Sequence, residues 1–418
     1  MATATWTNWP GNVTANPAEI VHPQDEAEVS EIVAAATARG RGVRVVGAGH
    51  SFMPLCATDG ILLCLDKMAG IIDADPVHGR AVVGPGSSIG SLGDPLWDAG
   101  LCLYNQGDID TQHIAGAIST STHGSGVREQ SFSGIARRLR VVQPNGDVLV
   151  VGDDQPELLA AMQTSLGLLG VITQVELAVR PSFTLYEQID FWPLAEILER
   201  WDFEMASRRH FSFFWMPYSD SAEALFLESP DGVDLADHGF IKRYDERDAD
   251  ATPAVETDLA AGAFRRRMDR PYRIYPDPPF QGEIVQRELE YMVPFEHGKD
   301  AFMALRSLIL NRRPRNNFPV EIRSIAADEA MLSPFYRRDS VSVSICGHRN
   351  DDYHEFLTEV HAVLEPFEPR PHWGKLHYFD LETLGRRLPR FNDFRAIRDR
   401  LDPSRTFLNE SLARLFGR

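Results

Sequence analysis

Residues 44–52, with the sequence R-V-V-G-A-G-H-S-F, constrain the fold of this chain more than any other segment. The apolar start of the segment predicts a strand, and Gly47 and Gly49 let the backbone turn tightly and approach a ligand closely. Consecutive amide groups in such a turn form a concave site for an anion such as a pyrophosphate. A lone Gly-x-Gly is also compatible with an ordinary strand-to-loop turn, but here His50 and Ser51 follow directly and could reach the bound group.

The turn differs from the dinucleotide-binding motif of a doubly wound domain. Phe52 occupies the place of the third glycine in G-x-G-x-x-G, and the predicted helix at residues 25–40 precedes the strand. Two hairpins are predicted after the turn, at residues 70–84 and at residues 139–151, the second around an Asn-Gly pair. This order of elements predicts an α+β domain.

A second candidate segment spans residues 105–126, N-Q-G-D-I-D-T-Q-H-I-A-G-A-I-S-T-S-T-H-G-S-G. Small and hydroxylated residues dominate its second half, which packs poorly against a core but can follow a large ligand with backbone and hydroxyl donors. A flexible Gly/Ser loop is the alternative. The second half lacks Lys, Glu and Pro, which solvated loops normally carry, so we favour a ligand-binding wall.

The composition is that of a globular protein without affinity for polyanions. Hydrophobic residues make up 43% of the 418 residues and charged residues 24%. The formal net charge of −18 disfavours binding to nucleic acids and anionic membranes, because both need a basic face. We interpret the basic clusters at residues 265–267 and 312–313 as solvated surface.

The sequence predicts neither a membrane span nor a secretion signal. No apolar run reaches the ~18 residues that a transmembrane helix needs, and residues 1–10 lack a basic start followed by an apolar core. The four cysteines do not form a disulfide framework, and none has metal-ligand spacing. We therefore expect a cytoplasmic protein without a metal site.

Beyond residue 181 the sequence changes character and predicts a second domain. Strands are predicted at residues 211–217, 288–293, 319–325 and 340–346, with helices between or after them. Two strand–helix–strand repeats on one antiparallel sheet would make a separate α+β domain. Residues 232–280 are charged and irregular and give no clear prediction.

The chain resembles the vanillyl-alcohol-oxidase flavoproteins, and within them the branch of aldonolactone oxidases and dehydrogenases and alditol oxidases. The resemblance spans nearly the whole chain, and the order of the motifs makes it specific. The matching segments are T-N-W-P-G-N, V-G-A-G-H-S-F, N-Q-G-D-I-D, S-T-H-G-S-G, S-L-G-L-L-G-V-I-T, E-I-R, L-S-P-F-Y-R-R-D-S, R-P-H-W-G-K and L-D-P-S-R-T-F-L-N.

The resemblance implies an FAD-binding domain of the PCMH type at residues 1–181, an α+β substrate cap at residues 182–375, and a segment at residues 376–418 that returns to the first domain. It also implies FAD with its pyrophosphate on the glycine turn, and a covalent bond from His50 to the flavin. A His50 that only hydrogen-bonds is the alternative. The residues expected to contact FAD are Val45, Val46, Gly47, Ala48, Gly49, His50, Ser51, Phe52, His113, Gly116, Ser119, Thr120, Ser121, Thr122, His123, Gly124, Val171 and Asn409.

The implied reaction is transfer of a hydride from a carbinol carbon to flavin N5, with loss of the hydroxyl proton. Glu321, Arg323 and Lys375 are the implied catalytic and substrate-binding residues, because a fixed cation stabilises charge that develops on the flavin. Strand alternation puts Glu321 and Arg323 on one face, although a surface ion pair would have the same spacing. The general base is either Glu321 or solvent. We expect His123 to be structural or flavin-facing, and His372 to order the loop that bears Lys375.

Three further positions are implied to face the polyhydroxylated substrate. Asp108 stands where alditol oxidases have serine, and Ser344 and Cys346 stand where relatives commonly have a histidine. These departures favour an aldonolactone of the L-gulono, L-galactono or D-arabinono type over an open-chain polyol such as xylitol or sorbitol. An alditol oxidase remains an alternative. A different class also remains open, an NAD(P)H-dependent reductase of the kind that makes peptidoglycan precursors.

The resemblance also bears on the electron acceptor. Gly107 lies at the position that is associated in this family with access of oxygen to the reduced flavin, and a glycine there leaves the path open. The alternative is that Gly107 only permits a turn with positive φ. We expect an oxidase that produces hydrogen peroxide, with a dehydrogenase that passes electrons to a cytochrome or quinone as the alternative.

Overall fold

The computed structural model describes the chain from residue 4 to residue 417, with the exception of residues 226, 228, 230–231, 257–262 and 278–282. It has a two-domain α+β fold. This confirms the fold class expected from the sequence. No helix of the described residues is both long and apolar enough to cross a membrane.

The first part of the chain consists of short strands and helices. Its strands are β1 (Trp6–Thr7), β2 (Thr14–Ala15), β3 (Glu19–Val21), β4 (Val43–Val46), β5 (Ile61–Cys64), β6 (Ile71–Asp75), β7 (Arg80–Val83), β8 (Leu101–Cys102), β9 (Ala136–Val142), β10 (Val148–Gly152), β11 (Val171–Ala178) and β12 (Arg180–Pro181). Its helices are α1 (Glu26–Ala38), α2 (Gly93–Asp98), α3 (Ile114–Ser119), α4 (Phe132–Ile135) and α5 (Pro156–Gln163).

Two sheets hold the glycine turn in place. Strands β3, β5 and β4 form a parallel sheet, and β10, β9, β11, β7 and β6 form an antiparallel one. Helix α1 packs between them, because Val29 and Val33 join a core cluster that contains residues of both sheets. The predicted helix and both hairpins are confirmed, including the turn at Asn145 and Gly146. The glycine turn follows directly from the end of β4.

The second part of the chain contains longer strands. These are β13 (Thr184–Pro193), β14 (His210–Met216), β15 (His238–Arg247), β16 (Ala254–Glu256), β17 (Ala263–Asp269), β18 (Gln286–Pro294), β19 (Val320–Ile325), β20 (Ser340–His348) and β21 (Arg370–Pro371). Its helices are α6 (Leu194–Ser207), α7 (Ser221–Ala224), α8 (Pro271–Ile274), α9 (Gly298–Asn311) and α10 (Tyr353–Leu364).

These strands form one antiparallel sheet in the order β16-β17-β13-β15-β14-β19-β20-β18-β21. The predicted strand–helix–strand repeat at residues 288–325 is confirmed as β18-α9-β19. The structure has a further one, β13-α6-β14, whose first strand and helix the sequence did not predict. Buried aromatic side chains, among them Trp201, Phe213 and Phe302, pack the helices onto one face of the sheet. The polar side chains of β18, β19 and β20 therefore lie on the opposite face of the sheet.

Two interpretations of residues 232–280 and of the basic clusters need correction. The segment without a clear prediction forms β15, which lies in the middle of the sheet between β13 and β14. Arg313 is exposed, as expected, but the other residues of the clusters are half-buried and paired. Arg265 and Arg267 donate to Glu187, which is only 1% exposed, and Arg312 pairs with acidic residues of α10.

The end of the chain consists of α11 (Leu381–Arg387), α12 (Phe391–Leu401) and α13 (Glu410–Phe416). The segment between α12 and α13 contacts the first domain. The buried Arg44 donates to the carbonyl of Phe407, and Asn409 donates to three carbonyls of residues 54–57. These contacts support the predicted return of residues 376–418. The domain boundaries at residues 181 and 375 stay a proposal.

Candidate active site

The glycine turn forms a concave row of amide groups. Gly49 has a φ of +71°, a conformation that glycine adopts without strain. The backbone amides of residues 48–51 donate no hydrogen bond to any described residue. Asn8 and Asn12 brace the turn from the other side by donating to the carbonyls of Ser51 and Phe52 at 2.9 and 2.8 Å. Such a row of free amides suits an anionic group.

A cleft runs from this turn along the second candidate segment. Residues of α3 and of the loop before β11 form its opposite wall. The predicted residues that line it are Val45, Val46, Gly47, Ala48, Gly49, His50, Ser51, His113, Gly116, Ser119, Thr120 and Thr122. Both predicted stretches therefore lie on one cleft, and burial lowers the pKa of His113, which favours the neutral imidazole there.

Other predicted cofactor contacts lie behind the walls of the cleft. Phe52 and Val171 are core residues, and Gly170 and Ile172 line the cleft in place of Val171. The buried Ser121 hydroxyl lies within hydrogen-bonding distance of other hydroxyls, and Asn409 fastens the end of the chain. At Gly124, a Cβ atom would lie 2.2 Å from the carbonyl oxygen of Gln106. These five residues shape the wall without facing the cleft.

His50 lies where the cleft meets a second cavity. Thr111 Oγ1 is 2.9 Å from its Nε2, and the ring of Trp9 is 4.6 Å away. Nδ1 is buried, and no described residue hydrogen-bonds to it. Burial, together with the positive charge of Lys375, lowers the pKa of His50 to about 4. The imidazole is therefore neutral at physiological pH and has a free lone pair on one nitrogen.

The second cavity has a volume of about 720 Å³ and lies between the two domains. Gly107, Asp108, Thr122 and His123 line it from the first domain. The polar face of the large sheet lines it from the other side. The predicted residues on that side are Glu321, Arg323, Ser344 and Cys346 of the sheet, and His372 and Lys375 of the loop after β21.

Glu321 and Arg323 lie on one face of β19, as strand alternation predicts. Arg323 Nε donates to Glu321 Oε1 at 2.6 Å, and its Nη2 donates to Asp108 Oδ2. Lys242 on β15 donates to Asp108 Oδ1 at 3.1 Å and to Asp277 at 2.7 Å. The pair is thus part of a buried charge network that reaches from the cap to the first domain.

The network gives its two cavity-facing carboxyls different charges. Burial raises the pKa of Glu321 to about 8, although Arg323 acts in the opposite direction. Burial also disfavours ionisation of Asp108, but Arg323 and Lys242 outweigh it and hold the pKa of Asp108 below its usual value. Asp108 is therefore a fixed anion, whereas Glu321 exchanges its proton near neutral pH. A carboxyl with a pKa near the working pH is suited to acid–base catalysis.

Lys375 lies on the same cavity and pairs with Glu288 of β18. Ser344 donates to the same carboxylate at 2.7 Å, and the ammonium lies 5.5 Å from the centre of the Phe52 ring. Burial lowers the pKa of Lys375, but Glu288 and Glu290 outweigh this effect, so the net shift is upward. Lys375 is therefore a permanent cation in the cavity wall.

His123, Glu290 and His372 form a buried cluster whose nitrogen and oxygen atoms lie within 4.8 Å of one another. The Gly374 amide donates to His372 Nδ1 at 2.9 Å, which places the remaining proton of His372 on Nε2. His123 Nδ1 lies 2.9 Å from the carbonyl of Gly124 and must donate to it. His123 Nε2 then shares a proton with Glu290 Oε1, 3.1 Å away. These tautomers favour a hydrogen-bond network over a metal site, because His372 has no lone pair directed at the cluster.

Sequence reasoning missed Lys242, Asp277, Glu288 and Glu290 as residues of the site. Glu288 and Glu290 show the same alternation on β18 that Glu321 and Arg323 show on β19, and this signal could have identified them. Lys242 and Asp277 lie in the segment without a clear prediction. Nothing in the sequence signals their pairing with Asp108, 134 residues away from Lys242.

Comparisons with known proteins identify the families that the chain matches. Residues 175–230 and 258–415 match the family described as D-arabinono-1,4-lactone oxidase, and residues 17–152 match the family described as FAD binding domain. An L-gulono-1,4-lactone dehydrogenase of Mycobacterium tuberculosis is 35% identical over 99% of both chains. An L-gulonolactone oxidase of Mus musculus is 25% identical over 98% of this chain and 97% of its own. The crystal structure of cholesterol oxidase from B. sterolicum has the same fold, with a TM-score of 0.81 at 15% identity over 99% of this chain and 97% of that one.

Proposed function

Because the chain belongs to the D-arabinono-1,4-lactone oxidase family, we propose that it oxidises a carbinol group of an aldono-1,4-lactone with FAD as the hydride acceptor. The substrate is of the L-gulono, L-galactono or D-arabinono type. One observation carries the proposal: His50 at the end of the cleft shares a cavity with a titratable carboxyl, Glu321, and two fixed cations, Arg323 and Lys375.

The residues of the cleft fit FAD. The free amides of residues 48–51 suit its pyrophosphate, and the neutral wall of α3 suits its ring system. Bound FAD supplies the two-electron acceptor at its isoalloxazine ring. His113, Ser119 and Thr120 are the side chains that we assign to its binding in addition to the turn.

Each charged residue of the cavity has a separate role in the proposed reaction. Glu321 would take the proton of the substrate hydroxyl, and bound FAD would accept the hydride of the same carbinol, which leaves a carbonyl group. Arg323 holds Glu321 through the 2.6 Å hydrogen bond, and Asp108 accepts hydrogen bonds from substrate hydroxyls. Lys375 stabilises the negative charge that develops as the hydride is transferred. Anaerobic bleaching of the flavin by lactones tests the proposal, and bleaching by NADPH instead would favour the reductase class.

We propose further that His50 bonds covalently to the flavin through Nδ1. Nδ1 has no hydrogen-bond partner among the described residues, and the low pKa keeps the ring neutral. Nδ1 therefore has the free lone pair in the tautomer whose Nε2–H donates to Thr111 Oγ1. A neutral imidazole nitrogen is a nucleophile, whereas an imidazolium is not.

His50→Ala should fold and bind FAD but release its yellow colour on acid precipitation, whereas the wild type should keep the flavin in the pellet. His50→Ala removes the nucleophile without touching the amide row. Thr111→Val is a useful comparison, because it removes only the Nε2 partner. Complete release of flavin from the precipitated wild type would show that the attachment is not covalent.

We also propose that O₂ is the electron acceptor and that it is reduced to hydrogen peroxide. Gly107 does not have a positive φ, so turn geometry does not explain the glycine. A Cβ atom at this position would lie 2.9 Å from the carbonyl oxygen of His123, which makes close packing the requirement. Gly107 lines the cavity, and Lys375 supplies the positive charge that favours reduction of oxygen.

Gly107→Ala should slow the reoxidation of reduced enzyme by air-saturated buffer, because a methyl group 2.9 Å from the His123 carbonyl oxygen must displace the cavity wall there. Stopped-flow absorbance of the flavin measures the rate. Gly385→Ala on α11 is the matched control, since a Cβ atom there meets only Phe391 at 3.8 Å. Wild-type reoxidation no faster than that of free flavin would contradict the oxidase assignment and favour a protein or quinone acceptor.

A further inference from the structure

Lys242 is a buried lysine that does not line the substrate cavity. It is 1% exposed and lies on β15 behind Asp108 and Asp277, with its ammonium 5.4 Å from the centre of the Phe214 ring. Removing an ammonium from water is costly unless anions compensate it. Here two carboxylates do so, at 3.1 Å for Asp108 and 2.7 Å for Asp277.

The environment of Glu321 contains charges from several elements. Arg323 on its own strand contacts it directly, Asp108 follows β8, and Lys242 and Glu290 approach from β15 and β18. Its cross-strand neighbours, Phe214 on β14 and Ser344 on β20, carry no charge. Asp108 joins Lys242 to Arg323, because each of its two oxygens accepts from one of them.

The charges around Glu321 balance only while it keeps its proton. Lys242 and Arg323 together offset Asp108 and Asp277, and Glu290 shares a proton with His123. Ionised Glu321 adds one negative charge to this set. Removal of a cation therefore makes its ionisation harder, and removal of an anion makes it easier.

We propose that Lys242 is a positioning residue that fixes Asp108 at the cavity wall and sets the protonation state of Glu321. The inference rests on the proposed function in so far as Glu321 accepts the substrate proton. Lys242 acts indirectly, because Asp108 and Asp277 lie between its ammonium and the cavity.

Two substitutions should move the ionisation of Glu321 in opposite directions. Lys242→Met removes a cation and should raise the midpoint by about one pH unit, the size of shift that one nearby charge produces. Asp108→Asn removes an anion and should lower the midpoint. A purely structural role would not produce opposite shifts. Lys242→Arg keeps the charge and should restore a midpoint close to that of the wild type.

Infrared difference spectroscopy on the FAD-loaded protein without substrate measures this midpoint. The carbonyl stretch of a protonated carboxyl that is present in the wild type and absent in Glu321→Gln should disappear with a midpoint near pH 8. Lys299→Met is the matched control, because Lys299 donates to the carbonyl of Leu198 and does not line the cavity. Its midpoint should equal that of the wild type.

An unchanged midpoint in folded Lys242→Met would overturn the inference. If that variant does not fold, Lys242→Gln decides in its place, because its amide can still donate to Asp108 or Asp277 but carries no charge, and an unchanged midpoint there would overturn the inference. The two proposals fail separately. Shifted midpoints in a protein whose flavin no lactone reduces would contradict the lactone function and leave the role of Lys242 intact, whereas unshifted midpoints in a lactone-reducible enzyme would do the reverse.

Discussion

Lys375→Met should lower the rate of flavin reduction by an aldonolactone about 100- to 1000-fold, the cost of removing one oriented group that stabilises developing charge. The lysine is a permanent cation in the cavity wall, because its partners Glu288 and Glu290 outweigh the effect of burial on its pKa. The variant should keep its fold and its flavin, since Lys375 makes no contact with the amide row of the turn.

The partner carboxylate supplies the control for this variant. Among the described residues, Lys375→Met leaves the Glu288 carboxylate with Ser344 as its one partner, so an uncompensated charge could contribute to the loss of rate. The double variant Lys375→Met/Glu288→Gln removes both charges. It should be as slow as the single variant if the cation itself is needed. Recovery of most of the wild-type rate in the double variant would show that Lys375 only neutralises Glu288 and does not stabilise the developing charge.

Glu321→Gln should lower the rate of flavin reduction about 100- to 10,000-fold, the range for loss of a positioned general base. Burial raises the pKa of Glu321 to about 8, and a base acts only when deprotonated. The wild-type rate should therefore rise with pH, pass its midpoint near pH 8 and level off above it. Stopped-flow reduction between pH 6 and pH 10 measures the profile.

The shape of the profile separates a base from a hydrogen-bonding residue. Glutamine keeps the size of the side chain and its contact with Arg323 but cannot accept a proton. Glu321→Gln should therefore lose the inflection as well as the rate. A slow variant that keeps the inflection would assign the proton to solvent or to another group, and Glu321 would then only orient the substrate.

Local patterns in the sequence were enough to predict the glycine turn, the first helix and the two hairpins, because nearby residues determine each of them. A capping aspartate begins α1, and an Asn-Gly pair sets one hairpin. Strand alternation likewise placed Glu321 and Arg323 on one face. The expectation that the FAD cleft of the first domain and the polar residues of the large sheet form one site came from the family resemblance and not from such patterns.

Contacts between distant segments could not be predicted in this way. Asp108 meets Lys242 and Arg323 only because the loop after β8 packs against the large sheet. The charged sequence of β15 gave no clear prediction, yet this strand lies inside the sheet, where residues of the neighbouring strands compensate its charges. The predicted contact of Val171 with FAD also failed, because the pleat of β11 directs this side chain into the core beside the cleft.

Anaerobic mixing of the oxidised holoenzyme with L-gulono-, L-galactono- and D-arabinono-1,4-lactone tests the central claim most directly. The account predicts that at least one of these lactones bleaches the flavin absorbance near 450 nm in a single turnover and is itself oxidised by two electrons. Xylitol and sorbitol should bleach it more slowly, because the family resemblance favours a lactone over an open-chain polyol. Full bleaching by NADPH with no response to any lactone would contradict the account.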